Sequence, residues 1–201
     1  MNDLIVKILS NPEDIAKEAK KYEGRDDVTV VIAHSKDVAL IKRNFKGKVD
    51  EYNPRGYRQF SLRISDADII KSLNELGWSI KPKTFEDDPE GVVGYISVKV
   101  NFDNERKPPI IKTISLRGDG SKIKNTLTAE DCSILDSADI ENIKLRLSPY
   151  KGTNPITNKP YLSVYLKTMH CTIVPDDFDC DDDEADAVEP QIEIDDMPFD
   201  A

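Results

Sequence analysis

The chain has 201 residues, 33% of them charged, with 28 basic against 38 acidic side chains and a formal net charge of −10. That length suits one domain, or one domain with a small appendage. No apolar run approaches the ~18 residues of a membrane-spanning helix, and Leu4-Ile5-Val6 is cut short by Lys7, so neither a transmembrane segment nor a signal peptide is expected.

Asn11-Pro12 opens the first predicted helix, with Asn11 as N-cap and Pro12 at the first helical position; Ile15, Ala16, Ala19 and Tyr22 share a face and Gly24 ends it. Val28 to Ala33 is a short buried-strand candidate. Residues 1–35 hold seven acidic and five basic residues, unlike the block that follows, and are expected to form an N-terminal appendage. From Ala39 to Ile64 the pattern becomes two strands, 39–45 and 57–64, around a segment with Gly47, Asn53-Pro54 and Gly56. In the second strand Phe60, Leu62 and Ile64 fall on one face, Gln59, Ser61 and Arg63 on the other.

Ser65 is the expected cap of a helix over 66–77, with apolar Ile69, Ile70, Leu73 and Leu76 at helical spacing. The strands expected beyond it are 78–81, 95–102, 110–116, 143–147 and 161–169, with 84–91 and 150–159 as exposed loops. Thr128 has the chemistry to cap a short helix through Leu135, and Trp78 reads as a core plug. Many strands, one or two helices and long polar loops suit a mostly β domain over 36–174, an OB-fold-like β-barrel; a β-sandwich is the rival.

The last 27 residues, 175–201, hold thirteen acidic residues and no Lys or Arg, which predicts a disordered acidic tail. Without it the balance is 28 basic to 25 acidic, so the folded part is mildly basic. The three cysteines, Cys132, Cys171 and Cys180, lack close pairing, which points to a reducing cytoplasm, with Cys132 and Cys171 as small core residues.

Seven cations (Lys42, Arg43, Lys46, Lys48, Arg55, Arg58, Arg63) stand against two acids between Ala39 and Ile64, interleaved with Phe45, Tyr52, Tyr57 and Phe60. Single-strand binding needs that mixture: cations that follow phosphates and exposed rings on which unpaired bases stack. The competing interpretation is a solvated hairpin whose rings belong to the core. Phe60 belongs there by parity, whereas Tyr52 and Tyr57, beside Pro54 and Gly56, are the better platform candidates. A second candidate surface is Tyr150 and Lys151 with Lys159, Tyr161 and Lys167; Tyr161 and Tyr165 have outward parity relative to Leu162 and Leu166.

No catalytic arrangement is legible. His34 and His170 lack a ligand set, and Gly118 to Lys122 lacks P-loop spacing, so neither an enzyme, a metal nor a cofactor is expected.

The tip Asp195-Asp196-Met197-Pro198-Phe199 resembles the C-terminus of bacterial and phage single-stranded DNA-binding proteins, which end in Asp-Asp-hydrophobic-Pro-Phe after an OB-fold. It departs from them in that Asp200 and Ala201 follow the Phe, whose free carboxylate is read by partners in the bacterial proteins. The run from Phe45 to Ile173, through Arg43-Asn44-Phe45, Gly77-Trp78, Lys107-Pro108-Pro109-Ile110, Ile140-Glu141-Asn142, Pro149-Tyr150 and 161–169, is similar to phage proteins of the T7-like kind. The resemblance implies single-stranded DNA as ligand, a cytoplasmic role in replication and recombination, and a tail that docks polymerase, helicase/primase or recombinase through residues 195–199. It leaves the oligomeric state open, a homodimer included. A solubilising tail, a virion component and a DNA-mimic inhibitor are the alternatives; a mimic would spread its charge over the fold rather than confine it to the tail.

Overall fold

The computed structural model describes residues 2–25, 29–51, 53–85, 88–104, 107–116 and 121–174. Among these described residues, ten strands, two α-helices and one 3₁₀ helix follow in the order β1 (Leu4–Leu9), α1 (Pro12–Lys20), β2 (Thr29–His34), β3 (Val38–Asn44), β4 (Gln59–Ile64), α2 (Ala67–Glu75), β5 (Lys83–Phe85), β6 (Asp88–Lys99), β7 (Ile110–Leu116), β8 (Lys122–Leu127), the 3₁₀ helix (Asp131–Asp136), β9 (Asp139–Thr153) and β10 (Pro160–Val174). The fold is mostly β, as expected, built on one mixed sheet of order β2-β1-β9-β10-β6-β4-β3, with β5 on β6, and β7 and then β8 branching from β10.

Strand β10 organises the sheet because its two halves serve different neighbours. It runs antiparallel to β9 along its length, while Val164 and Tyr165 pair in parallel with β6 and Thr168–Ile173 pair in parallel with β7. The register against β9 slips between Leu166 and Thr168, where one neighbour gives way to the other. A bulge there bends the strand and increases its twist, which lets two sheet directions share it.

The ladder is open, yet its two sides are tied. Asp136 accepts from the backbone N–H of Phe45 (2.6 Å) and of Lys46 (3.0 Å), and Arg43 donates Nη1 to the Ala138 carbonyl at 2.7 Å. Those bonds fasten the end of β3 to the residues just before β9. Strands β9, β10, β6, β4 and β3 thereby share one core on an open mixed sheet. Alternating positions fill it: Phe60, Leu62 and Ile64 from β4, Ile96 and Val98 from β6, Leu145 and Leu147 from β9, with Trp78 3% exposed. Phe45 and Phe60 stack inside it, centroids 5.4 Å apart. Cys132 and Cys171 are both buried there.

Several local expectations shift. Residues 1–35, expected as an appendage, contribute β1 and β2 to the same sheet; β1 pairs with β9 and buries Leu4, Val6 and Ile8 against Leu147, Leu145 and Ile143. Asn11 does cap α1, accepting from Glu13 N–H at 3.0 Å. Asp66 rather than Ser65 caps α2, because its carboxylate reaches both Asp68 N–H (2.8 Å) and Ile69 N–H (3.0 Å).

Trp78–Ile80 form no strand, since Ile80 is held by the Asn74 side chain instead of a ladder. The expected loop over 84–91 is largely the hairpin of β5 and β6, and β8 was not anticipated. Strand β9 continues to Thr153, shortening the second expected loop to a turn. No helix among the described residues is long and apolar enough to cross a membrane.

Candidate nucleic-acid interface

The segment between β3 and β4 is a built loop. Asn53, 5% exposed, donates Nδ2 to the carbonyls of Lys48 and Tyr57 and accepts from Tyr57 N–H, all at 2.8–3.1 Å. Asn44 exchanges two bonds with the Lys48 backbone. Gly47 and Gly56 face each other with positive φ, and a Cβ on Gly47 would lie 2.7 Å from the Gly56 carbonyl oxygen, so glycine is required there.

A register slip after Ile41, with Lys42 at φ 50°, turns Lys42 to solvent while Arg43 reaches back to Ala138. Lys42, Arg43, Lys46 and Lys48 then line one cleft of about 590 Å³ with Asn44, Gln59 and Asp136. At the loop's far end Tyr57 is 54% exposed and accepts from Arg55 Nη1 at 3.1 Å, a bond that raises the already high Arg55 pKa.

The cleft continues onto the outward face of the sheet. Register places Asn44, Gln59, Lys99, Tyr165 and Ser148 side by side on five successive strands. At ~4.8 Å per strand that row spans about 19 Å. Lys99 lies 5.7 Å from the Tyr165 ring centroid and donates to Ser163 Oγ at 3.2 Å. One step along, Ser163 pairs with Tyr150 and Tyr161 with Gly152, so the two tyrosines stand beside each other at 6.4 Å and 49°. They are 56% and 44% exposed. The Gly152 position lies against the Tyr161 ring, and a Cβ there would come within 2.6 Å of it. Arg63 and Tyr95 form the opposite end of the same face.

The predicted residues therefore divide. Lys42, Lys46 and Lys48 line the loop cleft, Arg55 and Tyr57 stand at the loop's far end, and Tyr150 and Tyr161 form an exposed ring pair on the adjoining face. Arg43 is committed to Ala138, and Arg58 is half-buried with its guanidinium 5.4 Å from the Phe102 ring, so both hold the fold. Lys151 points the opposite way from Tyr150, its Nζ 3.9 Å from where a Gly77 Cβ would lie. Tyr52 and the tip Asp195, Asp196, Met197, Pro198 and Phe199 lie outside the described residues.

Sequence reasoning missed Lys99 and Tyr95 as members of this face. Their signal was present as alternation, Tyr95, Ser97 and Lys99 opposing Ile96, Val98 and Val100. No group of three or more potential metal ligands occurs among the described residues.

Comparison with known proteins adds independent findings. A search of curated proteins returns no match. Among solved structures the chain is similar to gp2.5, a single-stranded DNA binding protein encoded by bacteriophage T7, at 13% identity and a TM-score of 0.31, with 77% of this chain and 98% of that one covered. A family model described as "Putative phage ssDNA-binding domain" matches residues 26–199, which takes in β2 to β10 and the sequence beyond them. With that match spanning most of its length, the chain belongs to the phage single-stranded-DNA-binding domain family.

Proposed function

We propose that the protein coats single-stranded DNA during phage DNA replication and recombination in the host cytoplasm, with little sequence preference and without catalysis. The observation that carries this is the continuous outward surface from the lysine-rich loop cleft to the tyrosine pair. Lys42, Lys46, Lys48, Arg55 and Lys99 supply cations for successive phosphates, and Tyr57, Tyr150, Tyr161 and Tyr165 supply faces for unpaired bases. Every base has a π-face, so stacking is tolerant of sequence, and only unpaired bases offer it fully. Membership of the family supports the same ligand.

The acidic tail has two parts in this proposal. Its thirteen carboxylates compete for the basic surface when DNA is absent, a tethered competitor at high effective concentration. Its tip, residues 195–199, docks replication or recombination proteins once DNA displaces it, with carboxylates meeting cations and Phe199 filling an apolar pocket.

Titration of labelled single- and double-stranded oligonucleotides at several salt concentrations tests the proposal. Tighter binding to the single strand, weakening as salt rises, is the expected result; equal affinity for both forms, or none for the single strand, removes the central claim.

A further inference from the structure

Asp3 precedes β1, outside the segment matched by the family model. Its carboxylate nevertheless meets two cations of the matched domain. Arg146 on β9 donates Nε to Oδ2 at 2.9 Å, and Lys167 on β10 donates Nζ at 3.1 Å to Oδ2 and 3.3 Å to Oδ1. The Asp3 side chain is 15% exposed, whereas those of Arg146 and Lys167 are 51% and 45% exposed, so the cations stand open to solvent on their far sides. Both line a cleft of about 610 Å³ together with Lys107, Tyr150 and Tyr165. Partial burial pushes the Asp3 carboxyl up, but the bonds from Lys167 and Arg146 outweigh it and hold it below its ordinary value of 3.8. It is thus fully ionised at neutral pH.

A carboxylate that accepts from a guanidinium and an ammonium uses the recognition chemistry of a phosphodiester. Tyr150 and Tyr165 line the same cleft and offer ring faces for bases beside that position. We propose that Arg146 and Lys167 form a phosphodiester subsite for single-stranded DNA, and that Asp3 occupies it in the free protein as an internal counter-ion that the DNA phosphate displaces. This rests on the single-strand-binding reading and adds to it a site and a device. A residue preceding the family-matched segment sets how strongly two of its cations attract DNA, by charge alone and without moving the sheet.

The test compares wild-type protein with Asp3→Asn, which keeps the side-chain shape and removes the charge, using labelled oligothymidylate across about 50–200 mM salt. Asp3→Asn is expected to bind more tightly at the low-salt end. Its log K against log salt slope is expected to steepen by ~0.7 for each phosphate contact strengthened, as for single strands generally. Adding Arg146→Gln and Lys167→Gln to Asp3→Asn should abolish the gain. An unchanged or weaker affinity of a folded Asp3→Asn variant overturns the proposal, since Asp3 would then be idle or would position the cations. The carboxyl ¹³C resonance of Asp3 in the wild-type protein provides a readout that needs no variant: it should move when oligothymidylate saturates the protein, and a resonance that stays in place also overturns the displacement. Failure of wild type to bind any single strand refutes the underlying reading instead.

Discussion

Gly152→Ala should impair DNA binding nearly as much as Tyr161→Ala, although it removes no ring. Tyr161 lies across Gly152 on the paired strand, and the new Cβ would sit 2.6 Å from both its Cζ and its hydroxyl oxygen. Real Cβ contacts do not approach so closely, so the ring must swing away and lose its place beside Tyr150, now 6.4 Å off. A base stacked on an aromatic side chain is worth roughly 1–3 kcal/mol, which corresponds to about 5- to 150-fold in Kd. Folding should suffer far less, since Tyr161 is 44% exposed and little of its area leaves the core. Fluorescence anisotropy with a labelled oligonucleotide, run beside thermal melts of wild type, Gly152→Ala, Tyr161→Ala and Tyr150→Ala, measures both quantities. The double variant Tyr150→Ala/Tyr161→Ala should lose a different amount from the sum of the singles, because touching rings couple. Wild-type affinity for Tyr161→Ala would refute the stacking role. A weak Tyr161→Ala beside a fully active Gly152→Ala would refute the described ring position.

The loop cations should separate by partner. Arg55→Ala should reduce the salt slope by ~0.7 with little change in melting, whereas Arg58→Ala should lower the melting temperature because its guanidinium packs over Phe102; a salt-slope change for Arg58 alone would reverse that assignment. Asn53→Ala leaves the Lys48 and Tyr57 backbone groups without their partner, so urea unfolding should show a loss of about 1–3 kcal/mol. Deleting 175–201 should tighten single-strand binding most at low salt, where screening is weakest, and Phe199→Ala should abolish capture of replication proteins while leaving DNA affinity unchanged; weaker DNA binding after truncation would sink the tail-competition idea. His170, exposed but partly desolvated, is pushed below its ordinary 6.5 by that desolvation and by Lys112 and Lys144 on the two paired strands. The folded state resists its protonation, so its stabilising contribution is complete above pH 6.5 and declines as pH falls from there toward the folded pKa. Melting curves of His170→Gln should lack that part of the acid sensitivity.

Periodicity alone was enough to identify the mostly β class, the core face of β4, the helix begun by Asn11-Pro12 and the burial of Trp78, because each is set by local side-chain spacing or capping. The mild basicity outside 175–201 and the exposure of Tyr57, Tyr150 and Tyr161 were legible for the same reason: parity and turn residues decide which side chains face water. Strand partners were not legible. Pairing between residues as distant as Leu4 and Leu147 leaves no mark in either segment, so 1–35 read as an appendage although β1 completes the core. Alternation likewise could not tell that Arg43 and Arg58 were needed by Ala138 and Phe102, or that Lys99 would stand next to Tyr165 from a strand more than sixty residues away. A cation's charge is written in the sequence, but whether it is free for phosphate depends on which acceptor the fold brings within three ångströms. Asp3, placed against Arg146 and Lys167 across 143 and 164 residues of chain, is the case where only tertiary structure could decide.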